Sequence, residues 1–212
     1  MMASCVQTVM ITCPERANER SVTLAQLAAI GIVPRLAEPT PMERERSHQQ
    51  HARQGYRGLR DVDPDRGVLL IEDDINLSPR LAWWLRQLAD GAATVWLYVP
   101  GRSAWPTRWR PTIEQQLPVA PTLIAPRGRA MLWGSQAIWI SPRVVAELQA
   151  RAADPARWVT GGFDIQVREA AAAVGVPLRI AVPNPVQHRP AASLVRSPRH
   201  HSLCSDLPAG ER

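Results

Sequence analysis

The hydrophobic pattern of the chain alternates between short apolar runs and longer segments with apolar residues at helical spacing. Short continuous apolar runs are typical of strands buried on both faces. They predict strands at residues 6–12, 32–36, 68–71, 95–99, 130–133, 136–140 and 178–182. Helical spacing, together with residues that start or stop helices, predicts helices at 24–30, 43–54, 78–88, 141–148 and 164–174. This alternation predicts an α/β fold with a mixed, mainly parallel sheet flanked by helices.

The length and composition are those of one globular domain. The chain has 212 residues, of which 45% are hydrophobic and 21% charged, and this is enough to build one α/β core. We expect the domain to occupy residues 1–195 and the polar residues 196–212 to form a flexible tail. The formal net charge of +6 favours an anionic ligand. The basic residues are scattered, which argues against a nucleic-acid partner.

The sequence also carries signals about the compartment. Its three cysteines lack metal-ligand spacing, so we expect reduced thiols and a cytoplasmic protein. The N-terminus has neither the charged region nor the apolar region of a signal peptide. No apolar run reaches the length of about 18 residues that a membrane span requires, so we expect no membrane-spanning segment.

Three consecutive carboxylates, Glu72, Asp73 and Asp74, follow directly after the apolar run 68–71. The end of a buried parallel strand lies at the carboxyl edge of the sheet, where open α/β sheets bind ligands. Adjacent carboxylates repel one another, and a divalent cation would relieve that repulsion. Carboxylate oxygens are ligands that Mg²⁺ and Mn²⁺ prefer. The alternative is a solvated acidic turn that opens the next helix.

The junction between the first strand and the first helix carries two arginines, Arg16 and Arg20. Helix N-termini and guanidinium groups both bind phosphate oxygens, so these residues could contact a diphosphate. The alternative is that both are solvated surface residues. Neither GxGxxG nor GxxxxGK[ST] occurs in the chain, so neither a dinucleotide-binding fingerprint nor a P-loop is indicated.

Two other groups of residues admit more than one interpretation. His48 and His51 share a predicted helix but have no third metal ligand nearby in the sequence, and we expect them to be surface histidines. The long loop at 100–121 contains Trp105 and Trp109 among several arginines. Long loops are commonly functional. These tryptophans either stack on a sugar or base, or anchor the loop on the core.

Six short motifs follow one another in an order that resembles a known family. They are Pro14-Glu15-Arg16, Ser47-His48, Leu70-Ile71-Glu72-Asp73-Asp74, Gly134-Ser135-Gln136-Ala137, Phe163-Asp164 and Val186-Gln187-His188. Together they resemble the GT-A fold glycosyltransferases, closest to the family 25 lipopolysaccharide and collagen-type enzymes. The resemblance extends over roughly residues 9–193, and its weight lies in the order and spacing of the motifs. The loop at 100–121 matches no pattern of that family.

The resemblance implies a Rossmann-like sheet, a nucleotide-sugar donor, commonly a UDP-sugar, and a divalent cation, Mn²⁺ or Mg²⁺. Glu72 and Asp74 stand where the first and last acids of the DxD signature of that fold stand. His188 is similar to the C-terminal histidine that completes the metal site in many such enzymes. The residues expected to bind the donor are Thr12, Pro14, Arg16, Arg20, Asp73 and Gln187.

The implied function is transfer of a sugar to the hydroxyl of an unidentified acceptor, with inversion at the anomeric carbon. An inverting transfer needs a base to accept the proton of the acceptor hydroxyl. Asp164, which follows a Gly pair at a predicted helix start, is the candidate base. Its alternative role is the N-cap of that helix. A degenerate nucleotide-sugar or carbohydrate binding module, and a metal-dependent phosphotransferase or hydrolase, are the competing functions.

Overall fold

The structure, a computed structural model, describes residues 6–40, 47–89, 91–99, 106–109, 120–129, 132 and 134–189. The helices in these ranges are α1 (Ala17–Ala29), α2 (His48–Leu59), α3 (Leu81–Ala89), α4 (Pro142–Ala152) and α5 (Phe163–Ala173). The strands are β1 (Gln7–Ile11), β2 (Arg35–Ala37), β3 (Val68–Glu72), β4 (Ile75–Leu77), β5 (Thr94–Trp96), β6 (Thr122–Ile124), β7 (Ala137–Ile140), β8 (Leu178–Val182) and β9 (Val186–His188).

Seven of these strands form one mixed sheet in the order β2-β1-β3-β7-β5-β8-β6. β1, β2, β3, β5 and β8 run in one direction, whereas β6 and β7 run in the other. Helices cover both faces, so the predicted α/β fold with a mixed, mainly parallel sheet flanked by helices is confirmed. The architecture is Rossmann-like.

The strand β3 lies inside the sheet and is buried on both faces, as its continuous apolar sequence indicates. Leu70 packs on one face with Tyr56 of α2 and Phe163 of α5. Leu69 lies on the opposite face and packs with Trp84 of α3. Successive side chains of a strand point to opposite faces, so one short run contributes to both cores and leads the three carboxylates to the sheet edge.

A second, two-stranded sheet holds the chain on either side of the candidate site. β4 pairs antiparallel with β9, which places Ile75 opposite His188 and Asn76 opposite Gln187. Sequence periodicity does not predict β4, β6 or β9, because strands of three residues are too short to show a pattern. The pairing of β4 with β9 places His188 close to the acidic residues at the end of β3.

Several predicted boundaries differ from the structure. The second strand occupies Arg35–Ala37 rather than 32–36, because Ile32 packs under the end of α1 and its N–H donates to Leu27 O at 2.9 Å. The helix predicted at 43–54 begins at His48, with Ser47 as its N-cap, and continues to Leu59. Residues 43–46 lie outside the described residues.

Other predictions fall partly outside the described ranges. Three of them lie wholly or mostly outside the described residues: the strand predicted at 130–133, the loop at 100–121 and the tail at 196–212. Of the two loop tryptophans, Trp109 is described and packs against the core, which favours the anchoring role for that residue. Within the described part of the chain, no helix has the length and apolar character needed to cross a membrane.

Candidate functional site

The carboxyl ends of β1 and β3 lie side by side and form the floor of the candidate site. These strands are parallel, and Ile11 pairs with Glu72, so the residue after each strand reaches the same edge. Thr12 Oγ1 donates a hydrogen bond to Asp73 Oδ2 at 2.7 Å. Asp73 and Asp74 are both buried, at 1% and 0% exposure. Asp73 and Asp74 therefore form a buried site and do not belong to a solvated turn.

Asp74 and His188, which are far apart in the sequence, are in contact. The ring Nε2 of His188 lies 3.0 Å from Asp74 Oδ2. Burial lowers the pKa of His188, but the hydrogen bond and charge of Asp74 outweigh burial, and the pKa lies above its ordinary value. The backbone supports the same approach, because Arg189 N–H donates to Asp74 O at 2.8 Å. The structure thus brings together Asp74 and His188, two of the three residues predicted as metal ligands.

The guanidinium of Arg16 contacts the carboxylates of Asp73 and Asp74, so Arg16 is not a solvated surface residue at the start of α1. Its Nη1 atom is 3.0 Å from Asp73 Oδ1 and 2.5 Å from Asp74 Oδ2. Burial lowers the pKa of Arg16, but Asp74 and Asp73 outweigh it and the pKa is raised. For Asp73, burial raises the pKa above its ordinary value in spite of the hydrogen bonds from Thr12 and Arg16. One guanidinium therefore serves two buried carboxylates.

The other residues predicted to bind the donor take different positions. Arg20 pairs with the carboxylate of Glu38, one helical turn away from Arg16. Pro14 opens a short 3₁₀ turn, Pro14–Arg16, that leads from β1 into α1. Gln187 is fully buried in β9, opposite Asn76. Of the predicted donor-binding residues, Thr12 and Arg16 both contact Asp73 directly.

Glu72 points toward α2 and the segment before β7. Its Oε1 accepts a hydrogen bond from Ser135 Oγ at 2.5 Å and lies 3.4 Å from His51 Nε2. Burial raises the pKa of Glu72, but the hydrogen bond and charge of His51, with the Ser135 hydrogen bond, outweigh it and lower the pKa to about 2. Glu72 is therefore ionised at neutral pH and engaged by polar partners of its own.

The expectation that His51 lies on the surface is wrong, whereas His48 is exposed. The side chain of His51 is only 18% exposed and lies between Glu72 and the start of α5. The N–H of Phe163 donates to His51 Nδ1 at 3.2 Å. In its neutral form the ring carries its proton on Nε2, toward Glu72, and accepts the Phe163 N–H at Nδ1. Burial lowers the pKa of His51, but the hydrogen bond and charge of Glu72 outweigh burial, and the pKa lies above its ordinary value.

This group of Ser, His and Glu does not form a nucleophilic triad. In such a triad the serine and the acid occupy different nitrogens of the imidazole. Here Ser135 Oγ lies 3.2 Å from Nε2 of His51, the same nitrogen that faces Glu72. The contacts with Ser135 and His51 instead hold the Glu72 carboxylate in one orientation. In the structure His51 lies on α2 among buried positions, Gln50, Ala52 and Gln54, but two of these are polar, so the sequence gives no signal of its burial.

Asp164 lies in the first turn of α5, on the other side of His51 from Glu72. The N-cap of α5 is Gly162, so the alternative role of Asp164 as N-cap is wrong. Its Oδ2 instead accepts a hydrogen bond from Gly134 N–H at 2.7 Å. A Cβ atom at Gly162 would lie 2.7 Å from Asp164 Oδ1, so glycine at this position leaves room for that oxygen.

Arg189, which no sequence motif indicated, holds the backbone of Asp73 through hydrogen bonds. Arg189 Nη2 donates to Asp73 O and Glu19 O, each at 2.8 Å. Thr23 Oγ1 also donates to Asp73 O at 2.7 Å. These bonds tie the backbone after β3 to α1 and to the end of β9. The only sequence signal for Arg189 is that it follows His188.

The donor set fits a divalent cation in part. Within the described residues, no group of three or more His, Cys, Asp or Glu side chains is arranged to hold a metal ion. However, Mg²⁺ sites commonly use one or two protein ligands together with substrate phosphates. Asp74 Oδ1 is buried and has no hydrogen-bond partner among the described residues, and buried carboxylate oxygens are normally satisfied. Asp74 and His188 therefore fit a two-ligand site, whereas Glu72 is held by Ser135 and His51.

A cavity of about 290 Å³ lies elsewhere, at the opposite edge of the sheet. Its lining includes Gly67 at the start of β3 and Pro142 at the start of α4. Because Asp73 and Asp74 follow the other end of β3, this cavity is not part of the acidic site.

Comparison with known proteins gives no family for this chain, since no protein-family model and no curated protein sequence matches it.

Proposed function

We propose that the chain is a metal-dependent glycosyltransferase that moves a sugar from a nucleotide-diphosphate sugar, most commonly a UDP-sugar, to an acceptor hydroxyl with inversion. The observation that carries the proposal is the buried Asp74, one oxygen of which has no hydrogen-bond partner among the described residues, beside His188 and Arg16 at the carboxyl edge of the sheet. Ligands of open α/β sheets bind at this edge. The order of the sequence motifs supports the same function.

The residues of the chain divide the chemistry between two places. Asp74 and His188 would hold the cation, which neutralises the charge that develops on the leaving diphosphate. Arg16 lies beside them and can donate to phosphate oxygens. Asp164 belongs to the first turn of α5, where its Oδ2 is fixed by Gly134. In this position it accepts the proton of the acceptor hydroxyl as general base.

One observation favours a second candidate function, a binding module without turnover. Arg16 already neutralises Asp73 and Asp74, and the described residues contain no complete metal cage. A chain of that kind would bind a nucleotide sugar without releasing the nucleoside diphosphate. A coupled assay for UDP released from UDP-sugars, with Mn²⁺ present, distinguishes the two functions. Slow release of UDP supports the transferase, and saturable binding without release supports the module.

The first prediction concerns Asp74→Asn. This change removes the charge that would hold the cation, so Mn²⁺-dependent binding of the donor should be lost. A ligand at 100 times its Kd stabilises the folded state by about 2.7 kcal/mol, which thermal unfolding detects easily. Asp61→Asn, a substitution at an exposed aspartate paired with Arg35, is the matched control. If Asp74→Asn keeps the full stabilisation by Mn²⁺ and donor, the metal assignment is wrong.

A further inference from the structure

The position of Arg16 has a consequence for metal binding. One nitrogen of its guanidinium contacts both Asp73 and Asp74, at 3.0 and 2.5 Å. The side chain of Arg16 is 13% exposed, whereas those of Asp73 and Asp74 are 2% and 1% exposed. The guanidinium therefore covers carboxylates that have almost no other access to solvent.

Arg16 and a divalent cation would compete for the negative charge of Asp73 and Asp74. Asp74 Oδ2 already accepts from Arg16 and faces His188 Nε2. A cation bound to Asp74 would stand close to the guanidinium, and like charges at such a distance in a buried site repel strongly. If Arg16 moved away and no other cation replaced it, the two buried carboxylates would lose their partner. This is also unfavourable, because buried charges need partners. The acidic site can therefore be neutralised by Arg16 or by the metal, but poorly by both together.

The guanidinium has one obvious alternative partner in a donor complex. Arginine binds phosphate oxygens as well as carboxylates, through charge-assisted hydrogen bonds. Arg16 ends the 3₁₀ turn that leads into α1, so it lies where a ligand reaches the carboxyl edge of the sheet. A diphosphate there would offer it a negative partner in place of Asp74.

We propose that Arg16 is a built-in counter-ion that weakens metal binding to Asp74 until a nucleoside diphosphate accepts its guanidinium. This inference rests on the proposed function and adds an interdependence of metal and donor. The cation binds weakly to the free protein, and the diphosphate tightens that binding by removing Arg16 from Asp74. Coupling between two ligands is reciprocal, so the cation tightens diphosphate binding to the same extent.

The test is Mn²⁺ binding to the full chain, measured by calorimetry with and without UDP. Without UDP, Arg16→Ala should bind Mn²⁺ more tightly than the wild type, by roughly 5- to 150-fold, the usual range of such coupling. UDP should tighten Mn²⁺ binding less in the variant than in the wild type. Arg35→Ala is the matched control, since Arg35 is an exposed arginine on β2 that pairs with Asp61 and is not among the residues expected to bind the donor. It should leave Mn²⁺ affinity unchanged.

Removal of Arg16 leaves two buried carboxylates without their cation, and the alanine variant could unfold. Arg16→Gln keeps hydrogen-bonding capacity without the charge and serves as the second variant. The melting temperature provides a separate readout, because Mn²⁺ alone should raise it more in either variant than in the wild type. If Mn²⁺ does not restore the stability of either variant, Arg16 is a structural counter-ion only and the inference is overturned.

Three further outcomes decide between this inference and the proposed function. If wild type and variants bind Mn²⁺ with equal affinity while UDP binding still depends on Mn²⁺, the competition is refuted and the proposed function stands. If neither protein binds Mn²⁺, with or without UDP, both ideas fail. Equal tightening by Arg35→Ala would show a general effect of charge and would also overturn the role of Arg16.

Discussion

The sharpest test of the proposed mechanism is Asp164→Asn, because the structure shows what the carboxylate does besides any catalytic role. Asp164 Oδ2 accepts a hydrogen bond from Gly134 N–H at 2.7 Å, and the residue is 9% exposed. Asparagine has nearly the same shape, and its carbonyl oxygen can accept the same bond. The substitution therefore removes the charge and the basic oxygen while it keeps the contact that joins α5 to Gly134.

The stability cost can be worked out from these contacts. A hydrogen bond to a charged group contributes about 1.5–3 kcal/mol, and one between neutral groups about 0.5–1.5 kcal/mol. Loss of a carboxylate in the first turn of a helix costs a further 0.3–1 kcal/mol or so. We expect Asp164→Asn to lower the free energy of unfolding by about 1–2 kcal/mol. For a chain of this size that corresponds to a fall of roughly 2–8 °C in Tm.

The catalytic effect should be much larger than this loss of stability. Removal of a general base lowers turnover by roughly 10²- to 10⁴-fold. The assay is UDP released from the donor in the presence of an acceptor, at a temperature where thermal unfolding shows both proteins fully folded. Binding of the donor with Mn²⁺ should be nearly unchanged, since Asp164 Oδ2 is engaged by Gly134 N–H and the proposed cation ligands are Asp74 and His188.

Asp154→Asn provides the matched control for Asp164→Asn. Asp154 also accepts a backbone N–H, that of Ala156 at 3.2 Å, at the start of a short 3₁₀ turn. The control should lose some stability and no turnover. Full turnover in Asp164→Asn would refute the base assignment. A loss of activity no larger than the loss of folded protein would show that Asp164 is only structural.

Two further predictions concern stability. Folding raises the pKa of His188 above its ordinary 6.5 through Asp74, so this contribution is fully present below pH 6.5 and is lost as the pH rises through the folded pKa. Without metal, denaturant unfolding should therefore show a smaller alkaline fall in stability for His188→Gln than for the wild type, and an equal fall would contradict the shift. In Gly55→Ala, the new Cβ would lie 2.2 Å from Phe163 Cγ, and overpacking of this kind costs about 1–3 kcal/mol. Arg53→Ala, on an exposed position of the same helix, should cost little in the same measurement.

The sequence by itself determined the elements whose signals are local. The run 68–71 is apolar throughout and the run 178–182 is apolar except for Arg179, because both faces of β3 and β8 are covered, so they could be recognised without knowing what covers them. Ser141 followed by Pro142 marked the start of α4, because capping and a fixed φ are properties of a few neighbouring residues. The acidic residues after β3 were placed at the sheet edge by the same local reasoning.

Only the tertiary structure decided which residues meet these carboxylates. His51 belongs to α2, yet the packing of α2 against α5 places its ring between Glu72 and Phe163. Arg16 stands at a helix start, where a phosphate or solvent would serve it equally well, and the parallel pairing of β1 with β3 turns it onto Asp73 and Asp74 instead. These contacts join residues more than 20 positions apart. They depend on how strands pair and helices pack, which no local pattern of residues contains.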